Sequence, residues 1–233
     1  MDQTLSRTKA FISYSHVDRE HAAQAKRVLA EVGIDAFLAH EDIEVSAEWQ
    51  SCIKDELMSC AIFVALLSAN FLSSKWAPQE VGFIVSRPEV AIAPLSIDGT
   101  TPFGFISHLQ SGRIPPGGIT RELLVEPLAR RVPRSILPGL IQIAADSRSF
   151  RGAEGQFRAL APYFTEMTPE EAQVLADASI SNNQIWSAGR CRADYLPEFI
   201  EVQGSNIDPE TLRVLQYQVE NDEWYPQDYE PKT

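Results

Sequence analysis

The chain has 233 residues, a hydrophobic content of 44% and a net charge of −12. That is room for one large domain or a domain of about 150 residues with a smaller appendage, and no run approaches the ~20 apolar residues of a membrane helix. The start, Met1-Asp2-Gln3-Thr4, lacks a secretion signal, and Cys52, Cys60 and Cys191 form neither a disulfide framework nor a metal pattern, so a reducing cytoplasm is the expected setting.

Residues 9–14 read as a first strand, followed by the polar loop Ser15-His16-Val17-Asp18. A helix is predicted over 19–32, with Ala22, Ala25, Val28, Leu29 and Val32 at helical spacing and Gly33 as its stop. A second strand over 34–38 leads to the acidic loop 40–46. The next helix carries Trp49, Ile53, Leu57 and Cys60 on its apolar face. Residues 61–67 form a near-continuous apolar third strand, suited to a central position buried on both faces. A helix opening at Pro78 and a fourth strand over 90–97 complete the alternation. Strands alternating with helices of this length predict βαβ units and a parallel sheet, an α/β fold.

Residues 98–118 read as loop, and a helix over 120–131 is expected to be cut by Pro127. Beyond Pro138 the β-branched runs vanish, and helices are predicted over 137–146, 153–164, 168–187 and 209–219. Thr168-Pro169-Glu170-Glu171 and Asp208-Pro209 are well-formed starts. The expected organisation is an α/β domain at 1–135 and a helical domain at 136–233 with an acidic, frayed tail. From residue 165 onward 14 acids face 4 bases, which would repel a phosphate backbone, so nucleic acid is not an expected partner. The basic cluster Arg130-Arg131-Val132-Pro133-Arg134 reads as a solvated helix end.

There is no P-loop, no G-x-G-x-x-G after the first strand, no H-E-x-x-H and no G-x-S-x-G. The four histidines do not stand at metal-ligand spacing. Most informative is Trp76-Ala77-Pro78-Gln79-Glu80, which sets an aromatic ring four residues before a carboxylate at a helix start just past a strand. Such a place in an α/β protein suits a sugar beside a stacked base. It equally suits an acid at the third helical position, favoured by the helix dipole, with Trp76 as an ordinary core ring.

Five fragments in order resemble the TIR (Toll/interleukin-1 receptor homology) domain in its bacterial form. They are Phe11-Ile12-Ser13-Tyr14-Ser15-His16-Val17-Asp18; Asp42-Ile43-Glu44 with Ser46-x-x-Trp49, where Gly more usually stands at the Ser46 position; Leu66-Leu67-Ser68 with Phe71 and Ser74-x-Trp76; Trp76-x-x-x-Glu80; and Gly104-Phe105-Ile106 with Gln110. The resemblance implies a flavodoxin-like five-stranded parallel sheet with helices on both faces. It also implies a choice of function. Many members cleave the nicotinamide N-glycosidic bond of NAD+, some of them cyclising the ADP-ribose, and others are non-catalytic adaptors. On the enzymatic branch Glu80 is the expected catalytic residue and Tyr14, Ser15, Asp42, Ile43, Ser46 and Trp76 the substrate-binding residues. NAD+ is then a substrate, and no cofactor or metal is implied. Self-association through the TIR domain, a partner for the helical tail and a role in bacterial anti-phage defence or cell suicide are further expectations; a secreted mimic of host TIR signalling is the other reading.

Overall fold

The computed structural model describes residues 8–39 and 51–226 in full and the backbone of 47–50. It divides into two compact units, Met1–Ile136 and Leu137–Thr233.

In the first unit the chain runs β1 (Lys9–Ser13), α1 (Arg19–Glu31), β2 (Asp35–Leu38), α2 (Ala47–Ser59), β3 (Ile62–Leu67), α3 (Ala69–Ser73), α4 (Ala77–Val85), β4 (Ala91–Ser96), β5 (Gly112–Arg113) and α5 (Arg121–Ala129). The strands form one parallel sheet in the order β2-β1-β3-β4-β5. This is the flavodoxin-like arrangement expected from the resemblance. Every residue of β3 is buried, as its unbroken apolar run requires of a central strand. Phe11 stacks on Phe63 at 5.7 Å between ring centres, while Ile53 and Leu57 of α2 and Cys60 just past its end join Phe71, Val81 and Ile84 in the same core. Burial pushes the Cys60 thiol up to about 11.

Two local expectations need correction. β5 lies inside the stretch read as loop; it has two residues, too short for a periodic signal, and is held by pairing Leu95 with Gly112 and Ser96 with Arg113. Pro127 does not cut α5, which runs through it while burying Leu124, Val125, Leu128 and Ala129. Burial of that face outweighs the lost backbone hydrogen bond.

The division between units falls within α6 (Pro133–Ala145). The second unit continues with α7 (Phe150–Leu160), α8 (Pro169–Ser181), α9 (Asn183–Trp186), a π-helical turn Cys191–Tyr195, α10 (Leu196–Gln203) and α11 (Pro209–Asn221). It is helical throughout its described elements. Phe157, Phe164, Leu175, Leu196, Phe199 and Leu215 are fully buried, with Phe164 and Phe199 at 5.3 Å. Thr168 forms the expected capping box with Glu171, and Asp208 caps α11. The helix expected over 168–187 is two. Asn182 breaks it, its side chain accepting from Gln184 N and donating to the carbonyls of Ala145 and Ser147.

Candidate functional site at the C-terminal edge of the sheet

β1 has β2 on one side and β3 on the other, so the chain reverses direction across the sheet at this point. A crevice outside the strand ends at such a switch point is where open α/β sheets hold ligands. The buried polar residues of this unit gather there. They are Ser13 at the end of β1, Ser15 and Asp18 in the segment after it, Ser68 just past β3, Ser96 at the end of β4, and Glu80.

Two hydroxyl–carboxylate bonds organise the edge. Ser13 Oγ donates to Glu80 Oε2 at 2.5 Å, with Ser13 0% and Glu80 5% exposed. Ser68 Oγ donates to Asp18 Oδ2 at 2.6 Å and accepts from Phe71 N at 3.0 Å, so one serine ties the segment after β1 to the start of α3. Asp18 stands at the N-cap of α1 yet makes no capping bond, because its carboxylate is drawn to Ser68 instead. Beside them the Asp98 carboxylate accepts from the Thr100 hydroxyl at 2.6 Å, from Ala69 N at 2.9 Å and from Thr100 N at 3.0 Å. The Thr100 hydroxyl and these amides hold it below the usual carboxylate range.

α4 delivers Glu80. Ser74 Oγ accepts from Trp76 N and Ala77 N at 3.1 and 3.2 Å, supplying the capping oxygen that Ala77 lacks. Trp76 is the N-cap, and its carbonyl accepts from Gln79 N and Glu80 N. The helix therefore starts one residue earlier than expected, with Pro78 second and Glu80 fourth. The acid remains in the first turn, where the dipole favours it. An acid serving the dipole alone is usually solvated; Glu80 is instead folded inward onto β1.

The other expected residues are placed unevenly. Tyr14 and Ser15 follow Ser13 directly and are buried, Ser15 closing a turn by accepting from Asp18 N at 2.7 Å. Trp76 is half-buried at the head of α4. Asp42, Ile43 and Ser46 lie outside the described residues, as does the side chain of Trp49. Ser13, Asp18 and Ser68 were not anticipated as site residues. The available signal was a serine ending the apolar run Phe11-Ile12, since a hydroxyl there needs a buried partner.

A cavity of about 420 Å³ lies elsewhere, beside β4, β5 and α5, lined by Ile92, Leu95, Gly112, Leu123 and Arg131 among others. Arg131 donates there to the Ile92 carbonyl at 3.1 Å. Among the described residues no group of three or more His, Cys, Asp and Glu is placed to hold a metal ion. No helix among them is long and apolar enough to cross a membrane.

Residues 10–115 match the family model described as TIR domain. No curated protein matches the chain.

Proposed function

Because residues 10–115 of this chain form a TIR domain, we propose that the protein cleaves the nicotinamide N-glycosidic bond of NAD+ to give ADP-ribose or a cyclic ADP-ribose-type product. The observation that carries this reading is the Glu80 carboxylate, buried at the switch-point edge and anchored to β1 by Ser13. In the reaction the bond from ribose C1′ to the pyridinium nitrogen breaks and its electron pair leaves with nicotinamide, which departs neutral. No general acid is needed, which removes one of the two carboxylates of an ordinary glycosidase. The remaining carboxylate holds the ribose hydroxyls and offsets the positive charge that grows on C1′, an effect of a few kcal/mol in a site shielded from water. Water then adds to C1′ and loses a proton, or an adenine nitrogen adds and closes the ring.

In this reading Glu80 is the catalytic residue, Tyr14 and Ser15 line the nicotinamide-ribose side, Trp76 walls the pocket, and Asp42, Ile43 and Ser46 belong to a flap over it. Assembly through the TIR domain would complete the site, in a bacterial defence or cell-suicide role.

A second reading, a non-catalytic TIR scaffold, is favoured by the same burial, since a carboxylate only 5% exposed can serve simply to tie α4 to β1. The deciding experiment follows NAD+ loss and its products by mass spectrometry for wild type and Glu80→Ala, at low and high protein concentration. Turnover that vanishes in the variant supports the enzyme, and the product separates hydrolase from cyclase. Turnover that persists in Glu80→Ala removes Glu80 from the mechanism. Silence of the wild type at every concentration favours the scaffold.

A further inference from the structure

Ser13 occupies the last position of β1, fully buried, after the equally buried Phe11 and Ile12. Its strand is fixed from both sides, by β2 up to Ile12 and by β3 through Ser13 itself, which pairs with Ala65. Ser13 therefore stands on a strand held by a neighbour on each side. A glutamate in a helical first turn, by contrast, has three side-chain torsions to settle. The 2.5 Å bond from Ser13 Oγ to Glu80 Oε2 lies at the short end expected for a hydroxyl donating to a carboxylate.

We infer that Ser13 is the positioning residue of the reaction, its hydroxyl aiming the Glu80 carboxylate at the ribose whose C1′–nicotinamide bond breaks. This inference rests on Glu80 being the reacting carboxylate. The charge on C1′ exists only in the transition state, and its stabilisation depends on how the carboxylate is placed, whereas most contacts to so large a substrate are made elsewhere and are alike in ground and transition states. Loss of the hydroxyl should therefore lower kcat and leave KM nearly alone. A purely structural serine would instead lower the amount of folded protein and leave kcat per folded molecule unchanged.

The test uses the full chain as wild type, Ser13→Ala, Ser13→Thr and Ser13→Cys, with kcat and KM for NAD+ measured beside urea unfolding of each protein. Ser13→Ala is expected to reduce kcat about 10- to 100-fold while KM moves less than about threefold. Ser13→Thr, which keeps the hydroxyl and suits a strand, should recover most of the rate. If Ser13→Ala does not fold, Ser13→Cys takes its place, because a thiol is a weak donor; its kcat should then fall well below that of Ser13→Thr. A folded Ser13→Ala with wild-type kcat overturns the inference and leaves the enzyme standing. So does a Ser13→Thr no faster than Ser13→Ala. A wild type inactive on NAD+ overturns both the reaction and the role of Ser13, and is told apart by failing before any variant is compared.

Discussion

Among the described residues, unit Met1–Ile136 buries Ser13, Ser15, Asp18, Ser68, Glu80 and Ser96, and unit Leu137–Thr233 buries Ser147, Ser179, Gln203, Thr211 and Gln218. The first set holds two carboxylates, each met by a serine hydroxyl, and gathers at one edge of the sheet. The second set is neutral and mostly serves backbone carbonyls. Ser179 donates to Leu175, Gln203 to Phe164 and Gln218 to Ile180. Removing a carboxylate from water is costly even when it is hydrogen-bonded, so ionisable side chains concentrated at one buried edge mark a place where the fold accepts that cost. In the helical unit, buried amides join one helix to the next, and none of the described acids is buried; some of these acids cap helices. Asp208 is one, held below the usual carboxylate range first by the Thr211 hydroxyl and then by the Thr211 amide. The contrast separates a unit whose polar interior suits chemistry from one whose polar interior specifies packing.

Three measurements test that contrast, beyond the NAD+ and Ser13 experiments. The largest effect is expected from Phe199→Ala, which empties the centre of the helical core beside Phe164 and should cost about 3–5 kcal/mol of unfolding free energy in urea. A loss below about 1 kcal/mol would contradict the packing account of that unit. Next is Ser68→Ala. It leaves Asp18 buried without this donor and α3 without its cap, and should cost about 2–3 kcal/mol by the same measurement. Ser68→Thr should restore most of it, and equal stability for wild type and Ser68→Ala would show that the edge bears no strain from its buried acid.

The smallest effect concerns acid. Asp98 in the first unit and Asp208 in the second are both depressed in the folded state. Their contribution to stability is therefore present above the ordinary carboxylate range and lost as pH falls through their lower folded values. Both are solvent-exposed, so screening keeps the effect small. Melting temperatures at about pH 7 and about pH 3 should fall less for Asp98→Asn and Asp208→Asn than for wild type. An unchanged pH slope in both variants would refute the linkage.

Much of the architecture was legible because it is local. Apolar runs marked β1 to β4, and Thr168 and Asp208 marked helix starts through their own side chains. Glu80 could be placed in a first helical turn from Pro78 and Trp76 alone, although the start was off by one residue because the capping oxygen comes from Ser74. What escaped was set by contacts. β5 exists through its register with β4, and α9 separates from α8 because Asn182 reaches Ala145 and Ser147. The helix Leu196–Gln203 lies outside the helices expected from the sequence, for it follows a π-helical turn that shifts the usual spacing.

The same line runs through the candidate site. The order of residues alone places an acid after an aromatic ring at the head of a helix, in a chain of alternating strands and helices that closes into a parallel sheet. The partner of each buried acid is set by the assembled fold. Glu80 meets Ser13 across 67 residues and Asp18 meets Ser68 across 50. The reason is physical: local propensity and periodicity choose an element and its buried face, but a buried carboxylate finds its donor through strand order and register, which exist only once the sheet has assembled.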